Sequence, residues 1–137
     1  MTFLLDTNVV SELRRPSADE RVVAWASARP KSNAFLSVVT IREIEAGVLL
    51  VERRDEKHGS LLRTWLEESV LRGYAERILP VDLAVARRAA ALHVPDPRPE
   101  RQALIAATAL THGLTVVTRN VADFEPMGVD VLNPWVR

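Results

Sequence analysis

Five short apolar runs, each parted from the next by a helix-patterned stretch or a turn, leave this chain few ways to fold. The runs at 2–5, 34–37, 77–81, 115–118 and 129–132 read as strands. Helical periodicity covers 7–14, 18–28, 40–53, 57–73, 82–92 and 99–112, and a short turn fills 121–125. Strands separated by helices imply parallel pairing, so the sheet is expected to carry helices on both faces. The expected class is α/β, and 137 residues make one domain, 1–137, with a sizeable core.

Local signals sharpen the boundaries. Ser17-Ala18-Asp19-Glu20 is a capping-box pattern ahead of the apolar Val22, Val23, Trp25 and Ala26. Leu61, Leu62, Trp65 and Leu66 recur at helical spacing, with Arg63, Glu67 and Glu68 on other faces. Gly113 is a stop for the Ala-rich helix, and Pro95-Asp96-Pro97-Arg98-Pro99 is a stiff loop that sets where that helix begins.

Composition removes several function classes. Lys plus Arg and Asp plus Glu balance at 18 each, so no overall field attracts nucleic acid, and any RNA contact must come from a local basic rim. With no cysteine there is neither a disulfide nor a thiolate metal site, and His58, His93 and His112 are too scattered for zinc. No basic segment leads into an apolar signal core and no apolar run approaches membrane-spanning length, which predicts a soluble, cytoplasmic protein without a membrane role. Glycines at 47, 59, 73, 113 and 128 make no Gly-x-Gly dinucleotide loop.

The polar residues that carry chemistry lie just past the strands. Asp6 opens Asp6-Thr7-Asn8 directly after Phe3-Leu4-Leu5, at the carboxyl end of a first strand, where open α/β sheets build ligand sites. Such a residue reads equally as a helix cap or as a metal ligand. Glu43 lies in Ser37-Val38-Val39-Thr40-Ile41-Arg42-Glu43-Ile44-Glu45-Ala46-Gly47, where it also completes a capping box with Thr40. Gln102 opens Gln102-Ala103-Leu104-Ile105-Ala106-Ala107-Thr108-Ala109. Asp123 follows Thr115-Val116-Val117-Thr118 in Arg119-Asn120-Val121-Ala122-Asp123-Phe124, where a helix cap is its other reading.

Taken together, these segments resemble a PIN-domain nuclease of the VapC/FitB toxin type, from Leu4 to Asn133-Pro134-Trp135. The resemblance implies a five-stranded parallel sheet in order 3-2-1-4-5, with the crevice opening beside Asp6 and Asp123. It maps the family's acidic constellation onto Asp6, Glu43, position 102 and Asp123. Position 102 departs, because the family carries Asp where this chain has Gln102. Thr7, Asn8, Thr118 and Asn120 then become groups that orient the ligands, and some relatives place their last acid at the position of Asn120.

The implied activity is metal-dependent endoribonuclease action on structured RNA, tRNA often, with Mg²⁺ or Mn²⁺ held by hard oxygen ligands. Carboxylates clustered without basic partners repel one another and call for such a cation. The implied partners are a cognate VapB-type antitoxin, through which alone DNA is reached, and a second copy of the chain. Such a homodimer would form a heterotetramer or larger assembly with the antitoxin. Lys31, Arg42, Arg98 and Arg119 are the candidate phosphate contacts. The competing reading is a PIN domain whose chemistry has lapsed at Gln102 and which serves as an RNA- or antitoxin-binding module. A dehalogenase-like phosphatase needs a second acid two residues after Asp6, and position 8 is Asn.

Overall fold

Phe3–Leu5 (β1) is buried at every position, as a strand covered on both faces must be. The computed structural model describes residues 1–136 and pairs β1 with Ala34–Ser37 (β2) on one side and Thr115–Val117 (β4) on the other. Ile78–Leu79 (β3) lies beyond β2 and Val131–Leu132 (β5) beyond β4. Every pairing is parallel and the order is 3-2-1-4-5, as the family resemblance implies.

The pleat sorts the core into two layers. Leu4 and Val116 point to one face, where they meet Ala103, Ile105, Ala106 and Ala109 of the helix Glu100–His112 (α6). Phe3, Leu5 and Val117 point to the other. There they meet Val9 and Val10 of Thr7–Arg14 (α1), Val22 of Glu20–Ser27 (α2), and Ile44 and Val48 of Val38–Arg54 (α3). The alanines of α6 let that helix lie close to the sheet, and its Ala107 packs against Val85 and Ala89 of Leu83–Leu92 (α5). Gly113 ends α6 at φ 66°, a left-handed conformation that glycine adopts without penalty.

Three boundaries differ from the sequence reading. Asp19 rather than Ser17 caps α2 by accepting from Arg21 N, because the Glu12 carboxylate takes the Asp19 N–H at 2.8 Å. The helix expected at 40–53 begins at Val38, capped by Ser37. The single helix expected over 57–73 divides into Glu56–Thr64 (α4) and a wider π-helical coil over Trp65–Arg72, from which Leu66 and Val70 enter the core.

The α3–α4 hairpin turns at Asp55, whose carboxylate caps α4 at His58 N. Arg63 ties the pair together through Glu45 at 2.6 Å and Glu52 at 2.9 Å. The helices touch at Gly59, where an added Cβ would lie 2.5 Å from Glu52 Cα and 2.8 Å from Glu52 N. Alanine is worth about 1 kcal/mol over glycine inside an open helix, but here its methyl meets main chain that cannot turn aside. Gly59→Ala is therefore expected to destabilise by about 1–3 kcal/mol in urea unfolding. A gain in stability would show that α3 and α4 do not approach this closely.

Candidate active site

The strand order reverses between β1 and β4, so the residues leaving the carboxyl ends of those strands share one crevice. Asp6 leaves β1 and Thr118 leaves β4. Asp6 is 0 % exposed, and its main-chain N–H donates to Val117 O at 2.9 Å. Its Oδ1 accepts from Thr7 N at 2.8 Å, which makes it the cap of α1, and its Oδ2 accepts from Thr118 Oγ1 at 2.7 Å. The cap reading of Asp6 therefore holds, and the same carboxylate also lines the crevice. Thr118 Oγ1 in turn accepts from Asn120 N at 3.0 Å and from Asn8 Nδ2 at 3.3 Å. Asn8 Oδ1 is buried without a hydrogen-bond partner among the described residues.

Glu43 arrives from α3. Because Ser37 caps that helix, Thr40 is an interior residue and the capping-box reading of Glu43 falls away. Glu43 Oε1 accepts from Thr7 Oγ1 at 2.5 Å, and the same hydroxyl stands 3.2 Å from Thr40 Oγ1. Thr7 is therefore the side chain that links α1 to α3 across the crevice.

The structure places a basic partner here, where the sequence reading expected none. Arg101, in the first turn of α6, donates from Nε to Glu43 Oε2 and from Nη2 to Asp6 Oδ1, each at 2.5 Å. A longer contact of 3.2 Å runs from Nη2 to Thr7 Oγ1. Burial works to raise the Glu43 carboxyl, but the Arg101 and Thr7 hydrogen bonds outweigh it and hold the group below its ordinary range. Burial likewise works against the Arg101 charge, and the two carboxylates overcome it to hold the guanidinium more firmly protonated. The only sequence signal for this role is position: Arg101 adjoins Gln102 at the start of the helix already assigned to the site.

The remaining expected members are placed differently. Asp123 is exposed on Val121–Phe124 (α7), and Gln102 is half-buried on α6 without a hydrogen bond to Asp6 or Glu43. Arg42 is exposed beside Glu43 and helps lower its carboxyl. Arg119 stands over the Trp135 ring at 5.1 Å, and Arg98 donates its main-chain N–H to His93. Lys31 is remote from this pair. It lies 5.5 Å over the Tyr74 ring and lines a separate groove of ≈ 480 Å³ with Leu13, Trp25 and Trp65, a groove that none of the four expected site residues enters.

Hard carboxylate oxygens are the right donors for Mg²⁺ or Mn²⁺, but with the Arg101 guanidinium seated on both acids their arrangement leaves no place for one. No three His, Cys, Asp or Glu among the described residues stand together as a metal cage. The expected trio of Asp6, Glu43 and Asp123 is here a pair of acids closed by a guanidinium. The reason is charge: one arginine between two carboxylates relieves the repulsion that otherwise calls for a metal.

Comparison with known proteins agrees with this architecture. The chain is 41% identical over 139 residues to Toxin FitB of Neisseria gonorrhoeae, covering 97% of this chain and 98% of that protein. It is 36% identical over 138 residues to VapC ribonuclease Y4jK of Sinorhizobium fredii, covering 97% of each. A solved structure of FitAB bound to an IR36 DNA fragment superposes with a TM-score of 0.92 at 38% identity, over 99% of this chain and 97% of that one. Residues 3–125 match the PIN domain model, and the chain belongs to the PIN-domain family.

Proposed function

We propose that this protein is the toxin of a VapBC/FitAB-type toxin–antitoxin pair and an endoribonuclease that cuts structured RNA, tRNA foremost, at the Asp6–Glu43 pocket in the presence of Mg²⁺ or Mn²⁺. The observation that carries the reading is the wholly buried Asp6 at the β1/β4 crossover, tied to Thr118 and, through Thr7, to Glu43. A carboxylate taken fully out of water is costly to keep for capping alone, since an exposed cap supplies the same hydrogen bond. Likeness to a named toxin and a named ribonuclease over nearly the whole chain supports the assignment. Asp123 and Gln102 are the further residues proposed for the site, with Asn8, Asn120 and Thr118 orienting it and Arg42, Arg98 and Arg119 as phosphate contacts.

Incubation of the purified chain with total tRNA is expected to give discrete fragments in Mn²⁺ and none with EDTA or in Asp6→Asn. Intact tRNA from both the chain and Gln102→Asp would sink the nuclease reading. The second reading, a binding module with lapsed chemistry, is favoured by Gln102 and by the guanidinium lodged between the acids. Retained tRNA binding without cleavage would select it.

For the antitoxin, the groove lined by Leu13, Trp25, Trp65 and Tyr74 supplies apolar anchoring area, and Arg14, Arg29 and Lys31 on its rim favour an acidic segment. Trp25 Nε1 is buried without a partner among the described residues. The product of the adjoining reading frame is expected to co-purify with the chain and to be lost from Leu13→Asp. Retention by that variant would place the antitoxin elsewhere. For the homodimer, Leu49, Leu50 and Leu61 are among the exposed apolar side chains, whereas Trp135 is only 5% exposed and belongs to the core.

A further inference from the structure

Every oxygen of the two gathered carboxylates already has a partner inside the chain. Asp6 Oδ2 takes the Thr118 hydroxyl, and Asp6 Oδ1 takes Thr7 N and Arg101 Nη2. Glu43 Oε1 takes the Thr7 hydroxyl and Oε2 takes Arg101 Nε. A divalent ion needs the same lone pairs at about 2.1 Å, closer than any nitrogen donor sits, so it and the Arg101 guanidinium exclude one another on Asp6 Oδ1 and Glu43 Oε2. The side chain of Arg101 is 28% exposed, which leaves it a path to solvent, whereas that of Asp6 is 1% exposed and has none. Gln102, the next residue on the same first turn, adds no negative charge to attract a cation once the guanidinium has gone.

We infer that Arg101 is the built-in counter-ion of this pocket: it compensates Asp6 and Glu43 without metal, and a divalent ion enters only by displacing it. Position 101 thereby sets the pocket's metal affinity, and position 102 sets how much charge remains to hold the ion. The inference rests on the pocket being the nuclease site proposed above, but its test reads binding without RNA.

Mn²⁺ binding is to be followed by the loss of the free-ion electron paramagnetic resonance signal, in the chain, in Arg101→Gln and in Arg101→Gln/Gln102→Asp. Removing the competing cation is expected to tighten binding about tenfold or more, and adding the acid is expected to tighten it about tenfold again. Arg101→Lys, which keeps a charge but not the planar fork that reaches both acids, should fall between the chain and Arg101→Gln. The melting temperature supplies a second readout: the unmodified chain should be nearly indifferent to Mn²⁺ and EDTA, and Arg101→Gln should melt lower in EDTA and recover with Mn²⁺. Should Arg101→Gln fail to fold, Mg²⁺ titration of the unmodified chain followed through the arginine Nε–H signals decides the matter. The Arg101 signal should shift only at the concentrations where the ion binds.

Equal Mn²⁺ affinity in the chain and in Arg101→Gln, or metal saturation with the Arg101 signal unmoved, would overturn the proposal. RNA cleavage that survives Asp6→Asn would instead remove this pocket as the nuclease site and leave the binding contrast standing.

Discussion

Asp6→Ala is expected to lower folding stability by about 3 kcal/mol, toward the lower end of the cost of breaking a buried ion pair. Asp6 is wholly buried and accepts from three separate elements: Thr7 N on α1, Thr118 Oγ1 after β4 and Arg101 Nη2 on α6. Its loss leaves Thr7 N and the buried Thr118 Oγ1 without their acceptor, each stranded group costing about 1–3 kcal/mol where it is buried. The partial exposure of Arg101 moderates the total, because the guanidinium can rotate outward and recover hydration. Asp6→Asn retains an acceptor for Thr118 and should lose less. Urea unfolding measures both, and a double cycle with Arg101→Ala should return a coupling of about 0.5–3 kcal/mol. A loss below about 1 kcal/mol for Asp6→Ala would mean that the pocket's bonds do not persist in solution.

What made Asp6 legible in the sequence is the abrupt change from Phe3-Leu4-Leu5 to Asp6-Thr7-Asn8, which places a carboxylate at a strand end and a helix start together. Thr118 and Glu43 were legible for the same reason, each following a short apolar run. Arg101 was not. An arginine in the first turn of a helix, beside Glu100 and near Arg98, reads as a solvated charge, since linear spacing carries no sign of which way a long side chain bends. Only the tertiary placement of α6 against the β1/β4 crevice turns that residue inward. Lys31 illustrates the opposite error: its sequence neighbourhood places it near a strand, but it lies over the Tyr74 ring in a groove that neither Asp6 nor Glu43 lines.

The fold was easier to read than the pocket because its signals are collective. Strand order follows from the family pattern and burial from runs of apolar residues, and a mistake at one position leaves such patterns intact. Boundaries rest on single competing hydrogen bonds. Ser17 loses the cap of α2 only because Glu12 reaches across from α1 to hold Asp19 N, a contact between residues seven apart that no local motif encodes. The π-helical coil at 65–72 likewise left no signal distinguishable from ordinary helical spacing.

Phe124→Ala is expected to have the largest effect on stability of any single truncation in the second core layer, about 3–5 kcal/mol. Phe124 is 0% exposed and heads the fully buried side chains by volume, packed with Leu4, Ile105, Val116 and Met127. It is also the only buried residue of α7, a helix of four residues that is far too short to hold itself together in water. The ring therefore has two tasks. It fills the space between β1, β4 and α6, and it pins the short helix that carries Asp123. Phe124→Leu, which keeps most of the volume, should cost about 1–1.5 kcal/mol and leave α7 in place. Thermal unfolding read by calorimetry gives the two losses, and amide hydrogen exchange at Asp123, whose N–H donates to Asn120 O at 3.1 Å, reports whether α7 frays first. If Phe124→Ala melted within a degree or two of the unmodified chain, α7 would be a surface appendage, and the position of Asp123 would not be set by the core.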